Sequence, residues 1–145
     1  MPFISITRLK VKSILYLLRF ILANETSAKQ LIRTKGFIKG KELIDKNLTF
    51  WTLTMWENDI SMNAFRNSSS HRKAMQQLPF LCSEASYFHW NQQDTKFPDW
   101  VSASERLLLE GKLTKVRNPS PDQIINKFAP IKWKKLERNF KPKQF

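Results

Sequence analysis

Alternation of apolar and polar residues marks four segments of the chain as β-strands. These segments are rich in β-branched and aromatic residues and are bounded by turn-forming positions. They are residues 2–10, 36–43, 48–56 and 83–90. The third segment, LTFWTLTMW, carries bulky side chains at both alternating sets of positions, so we expect it to be covered on both faces and to lie inside a sheet.

Helical periodicity accounts for most of the chain between these strands. Residues 11–33 repeat apolar side chains at the spacing of one broad helical face. We expect that face to be buried in the core, and it comprises Ile14, Leu17, Leu18, Ile21 and Leu22. The apolar run 13–23 invites comparison with a signal peptide or a membrane span, but Arg19 interrupts it and it is short for a span. A buried amphipathic helix explains it better.

Capping residues and prolines delimit the remaining helices. Residues 60–67 and 71–78 read as two short helices, each preceded by an N-cap, and we expect Pro79 to end the second. A last helix begins at Pro98 and runs through 110, where Gly111 stops it.

The resulting order is strand, helix, strand, strand, helix, strand. This is the split βαβ pattern of the ferredoxin-like α+β fold. We therefore expect one α+β domain over residues 1–111. Residues 112–145 are basic and contain several prolines, and they read as a C-terminal helical or extended tail that either wraps around the domain or stays loose.

Composition narrows the class of protein. With 145 residues, of which 41% are hydrophobic, the chain can bury one sizeable core. The single cysteine, Cys82, excludes an internal disulfide, and no Cys/His cluster has zinc spacing, so we expect no metal site and a cytoplasmic location.

The net charge of +13 is concentrated in residues 1–46 and 112–145. The terminal run interleaves Trp133, Phe140 and Phe145 with cations, as in surfaces that bind nucleic acid or anionic membranes. No recognised nucleic-acid module accompanies this charge, so we regard such a partner as possible in principle but do not favour it.

Three sequence elements resemble a known family. They are FWTLTMWEN at 50–58, AFRNSSSHRKAM at 64–75 and FHW at 88–90. They are similar to bacterial proteins of the dimeric α+β barrel superfamily, which also contains the antibiotic-biosynthesis monooxygenases and spheroidene monooxygenase. The resemblance implies a ferredoxin-like monomer with a pocket between sheet and helices. It also implies a homodimer in which the sheets of two copies close a barrel.

His71 is the leading candidate for chemistry. In a helix numbered from Ser70 it shares a face with Ala74, Met75 and Leu78, so its imidazole looks toward the apolar side. Its place in the first helical turn favours the neutral form, which a haem ligand or a general base requires. The alternative is a histidine that packs at a helix start and makes one structural hydrogen bond.

Other residues complete this hypothesis. Arg66 and Arg72 could hold the carboxylates of a cofactor such as haem, and the expected pocket lining is Trp51, Trp56, Phe65, Met75, Tyr87 and His89. The tryptophans could equally be core residues, and His89 could be structural. Haem-degrading relatives use an Asn, Trp and His set, whereas here the first strand offers Ser5 and Thr7 and the helix carries Phe65, so that set is not carried over.

These observations give three functional hypotheses. The first is a monooxygenase-like oxidoreductase that acts on a hydrophobic small molecule, with haem as a candidate cofactor and His71 as its ligand or as a base. The second is a non-enzymatic module of the same fold that binds a small ligand or a partner. The third is a basic protein that binds nucleic acid or a membrane surface. No nucleophile–base set and no Gly-rich phosphate loop is present in the sequence, which disfavours hydrolase and kinase chemistry.

Overall fold

One antiparallel sheet organises the computed structural model, which describes residues 1–132 and 136–143. In that part of the chain the sheet has six strands in the order β5-β4-β1-β3-β2-β6. The strands are β1 (Phe3–Val11), β2 (Phe37–Asp45), β3 (Thr49–Trp56), β4 (Cys82–Asn91), β5 (Lys112–Leu113) and β6 (Leu136–Phe140). All neighbouring pairs run antiparallel.

The four longest strands have the ferredoxin-like order, so the predicted α+β class is confirmed. β3 pairs with β1 on one side and β2 on the other, as the sequence predicted for an interior strand. Because side chains alternate along each strand, residues such as Ile6 and Leu53, which are opposite each other in the register, point to the same face.

Helices cover both faces of this sheet. They are α1 (Leu17–Leu31), α2 (Asp59–Arg66), α3 (Ser69–Leu81), α4 (Trp100–Glu110) and α5 (Pro121–Ile124). A 3₁₀ turn, Ile14–Tyr16, precedes α1. The Asn58 and Asp99 side chains cap α2 and α4 by accepting the backbone N–H of the third residue along.

The face of the sheet that contains Ile4, Ile6 and Leu53 packs against α4. Trp100, Ala103 and Leu107 of that helix join these strand residues in one buried cluster, and Phe128 and Ile131 pack on its edge. The chain therefore covers this face with its own residues. The homodimer that would close a barrel through the sheets stays a prediction.

Two further clusters lie on the opposite face, at its two ends. One joins Phe20 of α1 and Leu78 of α3 to Phe50. The other joins Leu31 of α1 and Met62 of α2 to Trp56. The helices α1, α2 and α3 are thus fixed to the sheet at two separate places, and the space between them is considered below.

The predicted buried face of the first helix is wrong for four of its five residues; Leu17 alone is half-buried and packs against the cluster of Phe20 and Phe50. Ile14, Leu18 and Leu22 are 75%, 69% and 60% exposed, and Ile21 is also exposed, whereas the buried residues of α1 are Phe20 and Leu31. The periodicity located an apolar stripe but could not show which stripe faces the sheet. The inner side of α1 is made mainly of small and polar residues, which permit close approach to α3.

Pro79 does not end α3, which continues to Leu81. Proline removes one helical N–H and crowds the preceding turn, but only two helical residues follow it. Leu78 and Leu81 are both buried, and the Cys82 N–H bonds to the Leu78 carbonyl, so packing and a final hydrogen bond extend the helix past the proline.

Segments beyond Gly111 add a strand to each edge of the sheet. Gln123 is buried and exchanges hydrogen bonds with both backbone groups of Ala85, at 3.1 Å and 3.2 Å, which fixes α5 on β4. Phe140 of β6 is buried in the core and is not a free stacking residue. Trp133 and Phe145 lie outside the described residues, and the boundary at Gly111 stays a prediction.

In the described part of the chain, no helix combines the length and the apolar character that crossing a bilayer requires.

Two leucines of α4 test whether this helix is part of the core. Leu107 is 1% exposed and Leu109 is 83% exposed. Leu107→Ala should lower the free energy of unfolding by about 2–5 kcal/mol, because it removes buried methyl groups and leaves a cavity. Leu109→Ala should change it by less than about 0.5 kcal/mol. Urea unfolding of the full chain measures both values, and equal values would show that α4 does not pack on the sheet in solution.

Candidate functional site

A cavity of about 350 Å³ separates the sheet from α1, α2 and α3. It lies between the two clusters that fix these helices. At one end the rings of Phe20 and Phe50 pack together, with centroids 4.5 Å apart. At the other end the rings of Phe65 and Trp56 do the same, with centroids 5.6 Å apart. The large rings keep the helices off the sheet, and the small side chains between them leave the space unfilled.

The two central strands contribute short polar side chains to the sheet side of the cavity. Ser5 and Thr7 of β1 lie beside Thr52 and Thr54 of β3, all on the same face of the sheet. The sequence signal is visible in retrospect: threonines alternate with bulky residues in LTFWTLTMW. Sequence reasoning followed the bulky residues and missed that the threonines mark the cavity.

His71 projects from the first turns of α3 into this space. Its Nδ1 lies 2.9 Å from the Ser27 Oγ of α1, and its ring packs on Phe65 with centroids 4.5 Å apart. Burial and the nearby Arg66 charge lower the pKa of His71 to about 4. The imidazole is therefore neutral at physiological pH, and the bond to Ser27 fixes the orientation of its ring.

Arg66, at the end of α2, is the charged neighbour of several cavity residues. Its guanidinium carbon lies 5.9 Å from the ring centroid of Tyr87. Burial, together with the Arg66 and Lys112 charges, also lowers the pKa of His89, whose ring lies 5.3 Å from that of Tyr87. The cavity thus contains two neutral imidazoles and a phenol beside one cation.

A carboxylate that the sequence analysis did not single out also lines the cavity. Glu42 of β2 is 4% exposed and accepts hydrogen bonds from Asn24 Nδ2 at 2.8 Å and Arg138 Nε at 3.0 Å. Arg138 also pairs with Glu25 of α1. The pairing of β6 with β2 places Arg138 opposite Glu42, so the C-terminal segment supplies the counter-ion of a buried charge.

The structure brings most of the candidate site residues together. His71, Arg66, Phe65, Met75, Tyr87 and His89 all line the cavity. Trp51 lies on the opposite face of the sheet, in the cluster under α4. Trp56 is fully buried behind Phe65, and Arg72 is exposed, and neither is among the lining residues.

Cys82 has no place in this chemistry. It is fully buried, and burial raises the pKa of its thiol to about 12, so it stays protonated.

The residues present meet one requirement of haem but not another. A neutral imidazole whose Nδ1 is held by a hydroxyl is suited to axial ligation through Nε2. The space is not suited to it: a porphyrin with its propionates is larger than about 350 Å³, and Phe65 already packs on the imidazole. Within residues 1–132 and 136–143, no three His, Cys, Asp or Glu side chains are grouped as metal ligands.

Comparison with known proteins gives matches among solved structures. SnoaB from Streptomyces nogalater, described as a cofactor-independent oxygenase, is 14% identical, with a TM-score of 0.54 over 65% of this chain and 95% of that chain. Rv0793 from Mycobacterium tuberculosis is 10% identical, with a TM-score of 0.59 over 65% and 97%. A protein named an antibiotic biosynthesis monooxygenase is 4% identical, with a TM-score of 0.57 over 63% and 99%.

The chain has the fold of the antibiotic biosynthesis monooxygenases. The resemblance to the dimeric α+β barrel superfamily is therefore confirmed at the level of fold. At these identities the likeness shows the fold alone, since one fold supports many activities. No family model and no curated protein sequence matches the chain. The matched structures cover about two thirds of this chain, so about a third of the chain has no counterpart in them.

The low pKa of His71 predicts a specific loss of stability in acid. The unfolded imidazole titrates near 6.5 and the folded one at about 4. Between these values the unfolded state binds more protons, so the free energy of unfolding falls as the pH falls, by at most roughly 3 kcal/mol for this group.

Urea unfolding at pH 7 and pH 4 tests this loss. His71→Gln, which cannot protonate in this range, should lose less stability between the two conditions than the wild type. His89 titrates in both proteins, so the difference isolates His71. An NMR titration that finds His71 protonating near 6.5 would contradict the prediction.

Proposed function

We propose that this protein binds a hydrophobic aromatic molecule that carries an oxygen substituent, and that it oxidises this molecule with dioxygen without a resident cofactor. The observation that carries the proposal is a cavity with apolar side chains on its helix side, such as Phe65 and Leu78, in which one guanidinium, Arg66, stands beside the neutral imidazole of His71. The monooxygenase fold supports the reaction class, and SnoaB shows that a protein described as a cofactor-independent oxygenase has this fold.

Arg66 is the residue that we expect to drive the reaction electrostatically. A substrate that must reduce dioxygen by itself has to be electron-rich, and ionisation to an enolate or phenolate makes it so. A cation at the edge of a partly desolvated cavity favours that ionisation more strongly than it would in water. Arg66 and Met75 are both exposed lining residues, so the released proton can pass to water at this side of the cavity.

His71 is better suited to hydrogen bonding than to removing the proton. A phenol with a pKa near 10 would transfer its proton to an imidazole with a pKa of about 4 at a cost of roughly 8 kcal/mol. The neutral imidazole can instead donate or accept one hydrogen bond that orients the substrate oxygen. Ser27 and Phe65 hold the ring in place for this role.

Anthrone is a suitable probe because it is an enolisable tricyclic ketone. Its carbanion would transfer electrons to dioxygen. The CH₂ carbon becomes a carbonyl with one oxygen atom, and the other oxygen leaves as water with the two hydrogens. We expect the protein to accelerate dioxygen uptake and anthraquinone formation.

Two neighbouring arginines provide a matched pair for this assay. Arg66→Gln should lower the rate by about tenfold or more, because the cation beside the anion is lost. Arg72→Gln removes the same charge from an exposed position outside the cavity lining and should leave the rate within about twofold. Equal losses in the two variants would contradict the role of Arg66.

Binding is tested separately by blocking the cavity. Thr52→Phe should fill the space and weaken anthrone binding at least about tenfold, measured by quenching of tryptophan fluorescence. Thr95→Phe makes the same change in an exposed loop and should leave binding unchanged. Cavity-dependent binding without dioxygen uptake would favour the non-enzymatic ligand-binding module.

Haem is addressed by titration with haemin. The size of the cavity leads us to expect no Soret band that depends on His71. A Soret band that is lost in His71→Ala would overturn the cofactor-independent proposal.

Light scattering of the full chain tests the homodimer, which would have twice the monomer mass of 17.2 kDa.

A further inference from the structure

The 3₁₀ turn Ile14–Tyr16 and the outer face of α1, which follows it, carry an exposed apolar stripe. We call Ile14, Leu15, Leu18, Ile21 and Leu22 the α1 stripe. Leu15 and Leu18 are 87% and 69% exposed. These residues follow one another at helical spacings of three and four, so they form one contiguous surface. Single exposed leucines are ordinary, but a contiguous apolar stripe on a helix indicates an interaction surface.

The surroundings of the α1 stripe are cationic. Residues 1–24 contain no Asp or Glu, and Lys12 and Arg19 lie in the same stretch as the stripe. At the end of α3, the exposed ring of Phe80 is covered by the Arg117 guanidinium, whose carbon lies 3.8 Å from the ring centroid. The Lys12 backbone N–H donates to the Leu81 carbonyl, so Phe80 and Arg117 lie close to the start of the stripe.

A groove beside the stripe adds groups that bind phosphate. It runs between α1 and α3 and has a volume of about 370 Å³. Arg19 and Lys73 provide two cations, and Thr26, Ser69 and Ser70 provide hydroxyls. Leu22 belongs both to the groove and to the α1 stripe, so the phosphate-binding groups adjoin the apolar surface. Among the described residues that line the groove, none is acidic.

We propose that the α1 stripe and this groove bind the surface of an anionic phospholipid membrane. The leucines and isoleucines enter the interface between headgroups and acyl chains, while Arg19, Lys73 and the hydroxyls receive a lipid phosphate. An amphipathic helix with aliphatic side chains flanked by cations is suited to lie in this interface. The proposal is independent of the chemistry of the cavity.

Charge distinguishes this partner from a second copy of the chain. A symmetric contact through the α1 stripe would bring Lys12, Arg19 and Lys73 of both copies together and place like charges face to face. Nucleic acid would satisfy the cations but would leave the stripe exposed to water. An anionic lipid surface complements both the charges and the apolar side chains.

Co-sedimentation of the full chain with vesicles tests the proposal. We expect binding to vesicles of phosphatidylcholine with phosphatidylglycerol, and at least about tenfold weaker binding to phosphatidylcholine alone or at high salt. The double variant Leu15→Glu and Leu18→Glu should lose at least about tenfold in binding. Leu109→Glu changes an equally exposed leucine on α4, across the sheet, and should bind as the wild type does.

A second pair of variants separates the groove from general charge. Lys73→Glu should weaken vesicle binding by about tenfold, whereas Arg72→Glu, an equal charge reversal at a residue that does not line the groove, should weaken it by less than about threefold. Equal effects of the two, or no binding of the wild type to phosphatidylglycerol vesicles, would overturn the proposal.

A dimer detected by light scattering and abolished by the Leu15 and Leu18 changes would also overturn it, in favour of an interface between copies. Another contrary outcome is that the protein binds DNA as strongly as it binds vesicles, with no effect of the Leu15 and Leu18 changes. That result would overturn the proposal that the α1 stripe binds a membrane. Anthrone binding in the cavity is unaffected by any of these results, so failure here and failure of the proposed function can be told apart.

Discussion

The separation of two hydrophobic clusters on one face of the sheet is the constraint on which the site depends. The helices α1 to α3 contact the sheet through large rings at both ends, Phe20 on Phe50 and Phe65 on Trp56. Between these contacts the two central strands, β1 and β3, present serine and threonine side chains to the cavity. Because the rings set the distance between the layers, the short side chains cannot close it, and a cavity remains.

Such a cavity costs stability, since its lining loses packing contacts. The cost is offset elsewhere by a well-filled core on the other face, where α4 covers Ile4, Ile6 and Leu53. The two faces therefore have different roles. The packed face under α4 stabilises the fold, and the face under α1 to α3 leaves space for a ligand.

Electrostatics inside the cavity follow from the same geometry. Partial burial disfavours charge on His71 and His89, and the proximity of Arg66 disfavours it further, so both imidazoles are neutral. Glu42 remains paired because β6 carries Arg138 to its side. Arg66 is thus the cation of the cavity lining whose charge lowers the pKa of both histidines. Its side chain is exposed at the edge of the cavity, and the proposed chemistry centres on it for these reasons.

Local sequence signals determined much of the fold. Alternation and turn residues located the four main strands to within two residues, and the bulk on both faces of β3 identified an interior strand, because pleating gives a period of two whatever the tertiary context. The helical spacing around position 71 also placed the imidazole of His71 on the side shared with Met75 and Leu78, which lines the cavity, although α3 begins at Ser69. These features depend on neighbours along the chain, which a sequence displays directly.

Tertiary structure decided the rest. The apolar stripe of α1 faces outward and Phe20 inward, Trp51 lies under α4 and not in the cavity, and Glu42 meets Arg138 from 96 residues away. Each of these depends on which layer packs on which face, and on strands that join the sheet from beyond residue 111. Periodicity defines the sides of an element, but only the packing of the whole chain determines which side is buried and which lines a cavity.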